Sequence, residues 1–187
     1  KEKGYSFKTI SSYKRSLKAA FYTAIQDDYI RKNPFDFHIN TVIEDDTELK
    51  IPLSPMQEES LLSFVKSDKV YCKYYDELII LLGTGLRISE FCGLTDRDID
   101  FENRTINVNH QLQYSGKKSY RIETPKTDNG IRKIPMSDRV LEALQRVLQN
   151  RKSRGFMVDG YIGFLFLTRN ETPKVCNGYD IMFRRLV

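Results

Sequence analysis

One stretch carries chemistry on its face: Gly83-Thr84-Gly85-Leu86-Arg87-Ile88-Ser89-Glu90, which follows the apolar run Glu77-Leu78-Ile79-Ile80-Leu81-Leu82. Glycine takes up positive φ without steric cost and leaves room for close backbone approach, so Gly83 and Gly85 are expected to break an apolar helix. That break seats Arg87 at a tight helix–turn–helix junction. An arginine never loses its charge, and its planar fork matches two oxygens of a phosphate. A guanidinium presented this way is suited to gripping a phosphodiester, although by charge alone it reads as a solvated helix arginine. Glu90 lies one helical turn beyond. It reads either as a support for the guanidinium or as a solvated carboxylate.

Helices come first among the elements that must position these groups. From Ser6 to about Asp28, Phe7, Ile10, Leu17, Phe21, Ala24 and Ile25 recur at helical steps and form one apolar stripe. Lys8, Ser11, Ser12, Arg15, Lys18 and Tyr22 occupy another face, as one for several phosphates or as a solvated basic face. Asn33-Pro34 is expected to end this element. Glu44 to Glu48 is acidic and reads as a linker. Ser54-Pro55-Met56-Gln57 supplies the signals of a new helix running to about Ser67, with Leu61, Leu62, Phe64 and Val65 buried. Asp76 to Leu82 and Ile88 to about Leu94 flank the glycines.

Residues 95 to 135 change character. Thr95 to Asp100 is turn-rich, and Thr105–Asn109, Tyr120–Thr124 and Ile131–Pro135 are strand candidates. Their connections contain Ser115-Gly116 and Asp128-Asn129-Gly130. Helix returns at Ser137, with Val140, Leu141, Leu144, Val147 and Leu148 in a stripe. Phe164–Leu167 reads as buried and extended, and a last helix begins at Asp180 with Met182, Phe183 and Leu186 on one side. The fold class is therefore mainly α with a small antiparallel β-sheet, an α+β arrangement.

Composition bounds the partners. The chain has 187 residues, a net charge of +5, and 11 Phe and 11 Tyr. The basic excess favours an anionic partner such as nucleic acid. Cys72, Cys92 and Cys176 are too few and too widely spaced for a disulfide framework or zinc site, which fits a reducing cytoplasm. No apolar run is long enough to span a bilayer, and the start is not a signal peptide. There is no P-loop and no carboxylate cluster spaced for a metal, so neither cofactor nor metal is expected.

The string from Gly83 to Glu90, continued by Phe91-Cys92-Gly93-Leu94, resembles the first catalytic box of the tyrosine recombinases (phage-type integrases), and within them the integrases of conjugative transposons. Thr124-Pro125-Lys126-Thr127, followed by Arg132-Lys133-Ile134-Pro135, resembles the box that places a catalytic lysine on a hairpin. By itself a lysine at such a turn is an ordinary solvated residue. The resemblance implies that Arg87 and Lys126 are catalytic, Lys126 as the general acid for the departing 5′ oxygen, with Glu90 in support. It implies that residues 1–43 end a helical core-binding domain, using Lys8, Ser12, Lys14, Arg15 and Lys18 on DNA. Residues 44–52 would be a linker and 53–187 most of the N-terminal part of a catalytic domain.

The implied function is site-specific recombination through a 3′-phosphotyrosyl intermediate, integrating and excising a mobile element such as a conjugative transposon. Implied partners are double-stranded DNA at attachment or transposon-end sites, a homotetramer in the synapse and accessory DNA-bending proteins, in a cytoplasmic, nucleoid-associated setting. Half the catalytic set is not recognisable. His38 and His110 are followed three residues later by Thr41 and Gln113, not arginine, and Tyr71, Tyr74, Tyr75, Tyr120 and Tyr179 follow no His-x-x-Arg box. The nucleophile is thus expected outside these residues, and the chain alone is expected to be a piece that binds DNA weakly without recombining it. Two other readings stay open: a type IB topoisomerase-like enzyme, and a non-catalytic DNA-binding fragment or regulator.

Overall fold

The computed structural model describes residues 4–49, 51–116, 119–125, 127–151 and 155–186. The chain divides into two compact units, Lys1–Leu53 and Ser54–Val187. In the first, helix α1 spans Phe7–Gln26, and the Ser6 side chain accepts from the Thr9 N–H at its start. The helix stops well before Asn33-Pro34, the pair expected to end it, because Asp28 adopts a left-handed φ of 58°. The segment after it turns back, with Phe35 edge-on to Phe21 at 5.1 Å and the Asn33 amide donating to the Lys18 carbonyl. This return runs along the side of α1 bearing Phe7 and Phe21. Leu17, expected in the apolar stripe, is left exposed. The acidic stretch is tied down in its middle: Asp46 accepts from the Phe7 N–H at 3.2 Å.

The second unit opens with α2, Pro55–Ser67, under the reciprocal Ser54–Gln57 capping box. Leu62 and Val65 are buried, whereas Phe64, expected in the core, is half exposed and meets only the edge of the unit through Tyr71. Helix α3 covers Tyr75–Thr84 and α4 covers Ile88–Gly93. Only one of the two glycines breaks the helix. Gly85 caps α3 with φ 61°, while Gly83 remains helical and serves packing instead. A Cβ at Gly83 would lie 2.5 Å from a methyl of Val140, on helix α5, Asp138–Gln149. The missing side chain lets α3 and α5 approach closely, and Val140, Ala143 and Leu144 are fully buried there.

The β-structure differs from the single sheet expected. Strands β1 (Ile99–Asp100), β2 (Thr105–Val108) and β5 (Arg132–Pro135) form one antiparallel sheet in the order β1-β2-β5. Strands β3 (Gln111–Tyr114) and β4 (Tyr120–Glu123) form a separate hairpin. β1 is too short to show alternation, and β3 reads Gln-Leu-Gln-Tyr, with only Leu112 deeply buried, so neither announces itself. Consequently β4 and β5 do not pair, and the segment carrying Lys126 connects two sheets.

Phe164–Phe166 is extended and buried, bridging to Thr95 and Leu94. Helix α6, Cys176–Leu186, begins earlier than the Asp180 expected. Phe91 of α4 joins these parts, stacked on Phe166 at 3.8 Å and edge-on to Tyr179 of α6 at 5.5 Å.

Gly83→Ala is expected to destabilise the second unit by about 1–3 kcal/mol through overpacking. Adding Val140→Ala removes the clashing methyl, so thermal denaturation of the double variant should show a smaller loss than the two single losses summed.

Candidate active site around Glu90

Helix α4 is short, and its first turn is built by one carboxylate. Glu90 is 2 % exposed and accepts the Arg87 backbone N–H at 3.0 Å, which closes the turn after Leu86. Its other oxygen accepts from the Arg87 guanidinium at 2.8 Å. The placement excludes the solvated alternative for Glu90. Arg87 itself remains 71 % exposed. Only one donor of its fork is held by Glu90, which leaves the rest of the guanidinium facing outward.

A second guanidinium reaches the same carboxylate from β5. Arg132 donates from one nitrogen at 2.8 Å and from the other at 3.1 Å, a two-pronged pairing with both Glu90 oxygens. The same side chain donates to the Gly130 carbonyl. Burial alone would raise the carboxyl of Glu90. The hydrogen bonds from Arg132, and from the Arg87 backbone and side chain, outweigh it and hold the pKa at about 2. Arg132 is raised in turn, chiefly by its bond to Glu90. The three side chains sum to one net positive charge, and the exposed guanidinium among them is that of Arg87.

Arg132 was not singled out from sequence, though a signal existed. In β5 the alternation puts Arg132 and Ile134 on one face and Lys133 and Pro135 on the exposed one. An arginine in phase with the apolar residues of a strand needs a buried partner. The cluster is tied to the hairpin as well. Ser89 donates to the Gln111 side chain at 3.0 Å, and a Cβ at Gly93 would come within 2.9 Å of the Leu112 backbone nitrogen.

Lys126 lies outside the described residues. Around it, the Gly130 N–H donates to the Thr127 carbonyl at 2.8 Å, and a Cβ on buried Gly130 would meet Pro125 at 2.3 Å. Pro125 is therefore packed directly on Gly130.

The five basic or hydroxyl residues proposed on α1 fall into two groups. Lys8, Ser12 and Arg15 are exposed, at steps of four and three on one face. Lys14 and Lys18 are half-buried and engaged within the first unit: Lys18 bonds Asp36 at 2.6 Å, and Lys14 bonds the Phe37 carbonyl while lying 4.5 Å from that ring's centroid. The bond to Asp36 raises the Lys18 pKa.

A cavity of about 570 Å³ elsewhere in the second unit is lined by Tyr74, Glu77, Lys174 and Tyr179. Tyr179 is 1 % exposed, and its hydroxyl donates to Glu77 at 2.6 Å. Burial and the Glu77 charge push its pKa well up, the opposite of what a nucleophilic phenol needs. The Arg87 cluster does not line this cavity. It is open to the surface, as a site for a polymer backbone requires.

The comparisons agree with this architecture. Residues 52–187 match the phage integrase family, and the chain belongs to it. The transposase from transposon Tn916 of Enterococcus faecalis is 55% identical over 187 residues, covering 100% of this chain and 46% of its own length. A XerC-like tyrosine recombinase of Caldanaerobacter subterraneus is 27% identical over 192 residues, covering 89% of this chain and 46% of that protein. The chain thus spans about half the length of these relatives. A structure of the Tn1549 transposon integrase in complex with a circular intermediate DNA superposes with a TM-score of 0.94 at 61% identity, over 100% of this chain and 59% of that one. The α+β fold is that of the tyrosine-recombinase structures.

Glu90 also predicts an acid limit. Its pKa is depressed in the folded state, so its stabilisation is complete above the ordinary value of 4.5 and is lost as pH falls through about 2. The interval corresponds to about 3 kcal/mol at neutral pH. Urea midpoints measured across this range should fall steeply for the native chain. For Glu90→Gln, which starts from a lower stability, the slope should be visibly flatter.

Proposed function

We propose that these residues supply the phosphate-gripping and proton-donating half of a tyrosine recombinase active site, in a site-specific integrase of a mobile element of the conjugative-transposon kind. The observation that carries this reading is Arg87, held at the start of α4 by the buried Glu90 yet still outward-facing, in a chain of the phage integrase family. A phosphodiester meeting that fork with its two non-bridging oxygens would gain two charge-assisted hydrogen bonds. These strengthen as negative charge builds on the pentacoordinate phosphorus.

In the proposed reaction a tyrosine gives up its phenolic proton to a base not assigned among these residues, its oxygen attacks the phosphorus, and the bond to the 5′ oxygen breaks. Lys126 gives that oxygen its proton, and the strand remains linked as a 3′-phosphotyrosine. The bond energy is kept, so the reverse attack by a 5′ hydroxyl rejoins DNA without a nucleotide. The attacking tyrosine is not assigned within residues 1–187. Tyr179 is engaged with Glu77, and no His-x-x-Arg box precedes any tyrosine here. These residues by themselves are expected to bind DNA and not to cleave it.

The DNA reading is supported by the Tn1549 integrase, which was solved on a circular intermediate DNA. Exposed Lys8, Ser12 and Arg15 on α1 are the strongest candidates for phosphate contacts. Lys14 and Lys18 contribute charge while held to Asp36 and Phe37. Strand exchange between two duplexes implies a homotetramer, with DNA-bending proteins as accessory partners, acting on the bacterial nucleoid.

Two measurements test the reading in the full-length enzyme. Arg87→Ala should retain DNA affinity within about tenfold, yet lose covalent adduct formation on nicked DNA by about a hundredfold or more, since few groups stabilise the transition state while many share binding. Adduct formation at the native rate would overturn the assignment. Lys126→Ala should be impaired on ordinary DNA and regain most of its rate when sulfur replaces the bridging 5′ oxygen, because a thiolate leaves without a proton. Absence of that recovery would remove Lys126 as the acid.

A further inference from the structure

The role proposed for Arg87 raises a charge problem that the structure answers. A buried carboxylate beside a lone guanidinium would cancel most of the positive charge meant for the phosphate, and would draw the whole fork onto itself. Here Glu90 takes its two-pronged pairing from Arg132, at 2.8 and 3.1 Å, and holds Arg87 by the backbone N–H and a single guanidinium contact. Arg132 is 31 % exposed against 71 % for Arg87, so the inner guanidinium serves the carboxylate and the outer one faces solvent.

The same inner guanidinium also reaches the Lys126 segment. It donates to the carbonyl of Gly130, on which Pro125, the residue before Lys126, is packed. The strand register fixes its origin: Arg132 stands opposite Val108, a fully buried residue of the central strand, so its Cα is anchored in the core.

We propose that Arg132 is a positioning residue for strand cleavage. It occupies Glu90 so that Arg87 keeps its charge for the scissile phosphate, and it fixes the turn following Lys126 relative to that carboxylate. This inference rests on the proposed role of Arg87. It concerns a residue that need not touch DNA, and its effect is transmitted through Glu90. Without Arg132 the carboxylate would claim both prongs of Arg87, and the grip on phosphate would fail while the fold persisted.

The test is single-turnover adduct formation by the full-length enzyme on nicked DNA, with DNA affinity and circular dichroism measured in parallel. Arg132→Gln should slow the adduct by about ten- to a hundredfold, the usual range for a group that orients a reacting one, with affinity little changed. Adding Glu90→Gln should then speed the reaction by about tenfold over Arg132→Gln alone, because the unpaired carboxylate is gone. A purely architectural role for Arg132 predicts no such recovery. Arg132→Lys keeps the charge but loses the fork, so it should be faster than Arg132→Gln and slower than the native enzyme.

A double variant no faster than Arg132→Gln, or a lysine variant no faster than the glutamine one, would overturn the proposal. If Arg132→Gln does not fold, the lysine variant decides: a loss of less than about a hundredfold supports the role, and a greater loss ends it. Native enzyme and Arg87→Ala are run alongside. Failure of the native enzyme to form an adduct, or full activity of Arg87→Ala, would instead overturn the assignment of Arg87 beneath it.

Discussion

A single buried carboxylate organises the candidate site. Glu90 is removed from water, and a bare carboxylate there would be untenable, so each of its oxygens must be met by donors of fixed geometry. Those donors arrive from the chain turn after Gly85 and from β5. Satisfying one group therefore fixes where α4 begins, which way Arg87 leaves it, and how the three-stranded sheet stands against the helix. The outer guanidinium is held by contacts that leave most of its fork facing outward. That is the arrangement transition-state stabilisation needs: a charge already in place, whose reorganisation is not left to the reacting moment.

The scaffold beneath Glu90 is apolar and closely fitted. Gly85 supplies the left-handed residue that turns the chain from α3 into α4, and Leu86 is buried immediately after it. Gly83 lets α3 lie against Val140, and Phe91, one residue past Glu90, is clamped between Phe166 and Tyr179. Burying an aromatic of this size contributes about 1.5–3 kcal/mol, comparable to what the paired Glu90 contributes at neutral pH. The core and the charged cluster therefore support each other, and the cluster uses the rigidity of the core.

Much of this was legible in the residues. The glycine-flanked string around Arg87 pointed to a helix break and an anchored guanidinium, and Ser54-Pro55-Met56-Gln57 and Ser137 marked helix starts that the structure contains. What escaped had physical reasons. A pattern read one segment at a time cannot report pairing partners, so β2 was matched to the wrong strand and the hairpin of β3 and β4 went unseen. Helix α1 ends close to where its periodicity faded, near Asp28, but through a left-handed Asp28 and not at Asn33-Pro34. Phe64 and Leu17 satisfied helical periodicity, but each lies on a flank that its own unit does not cover. Arg132 was visible only as a charged residue in phase with Ile134. Its partner lies forty-two residues earlier, at Glu90.

The contrast between α1 and the Glu90 cluster separates two uses of positive charge. On α1, Lys8 and Arg15 are exposed, and Lys14 and Lys18 lean on Phe37 and Asp36. Cations of this kind contribute to an anionic polymer largely by releasing counterions, a term that depends on their number and hardly on their exact geometry. Around Glu90 the number is small and the geometry is specified by hydrogen bonds from three directions. Loss of one α1 lysine is diluted among its neighbours. A shift of Arg87 by the width of one bond is not, because nothing else in the described residues is aimed alongside it. Under the proposed function, affinity and chemistry would therefore vary separately, with the residues proposed for chemistry being those whose partners are buried.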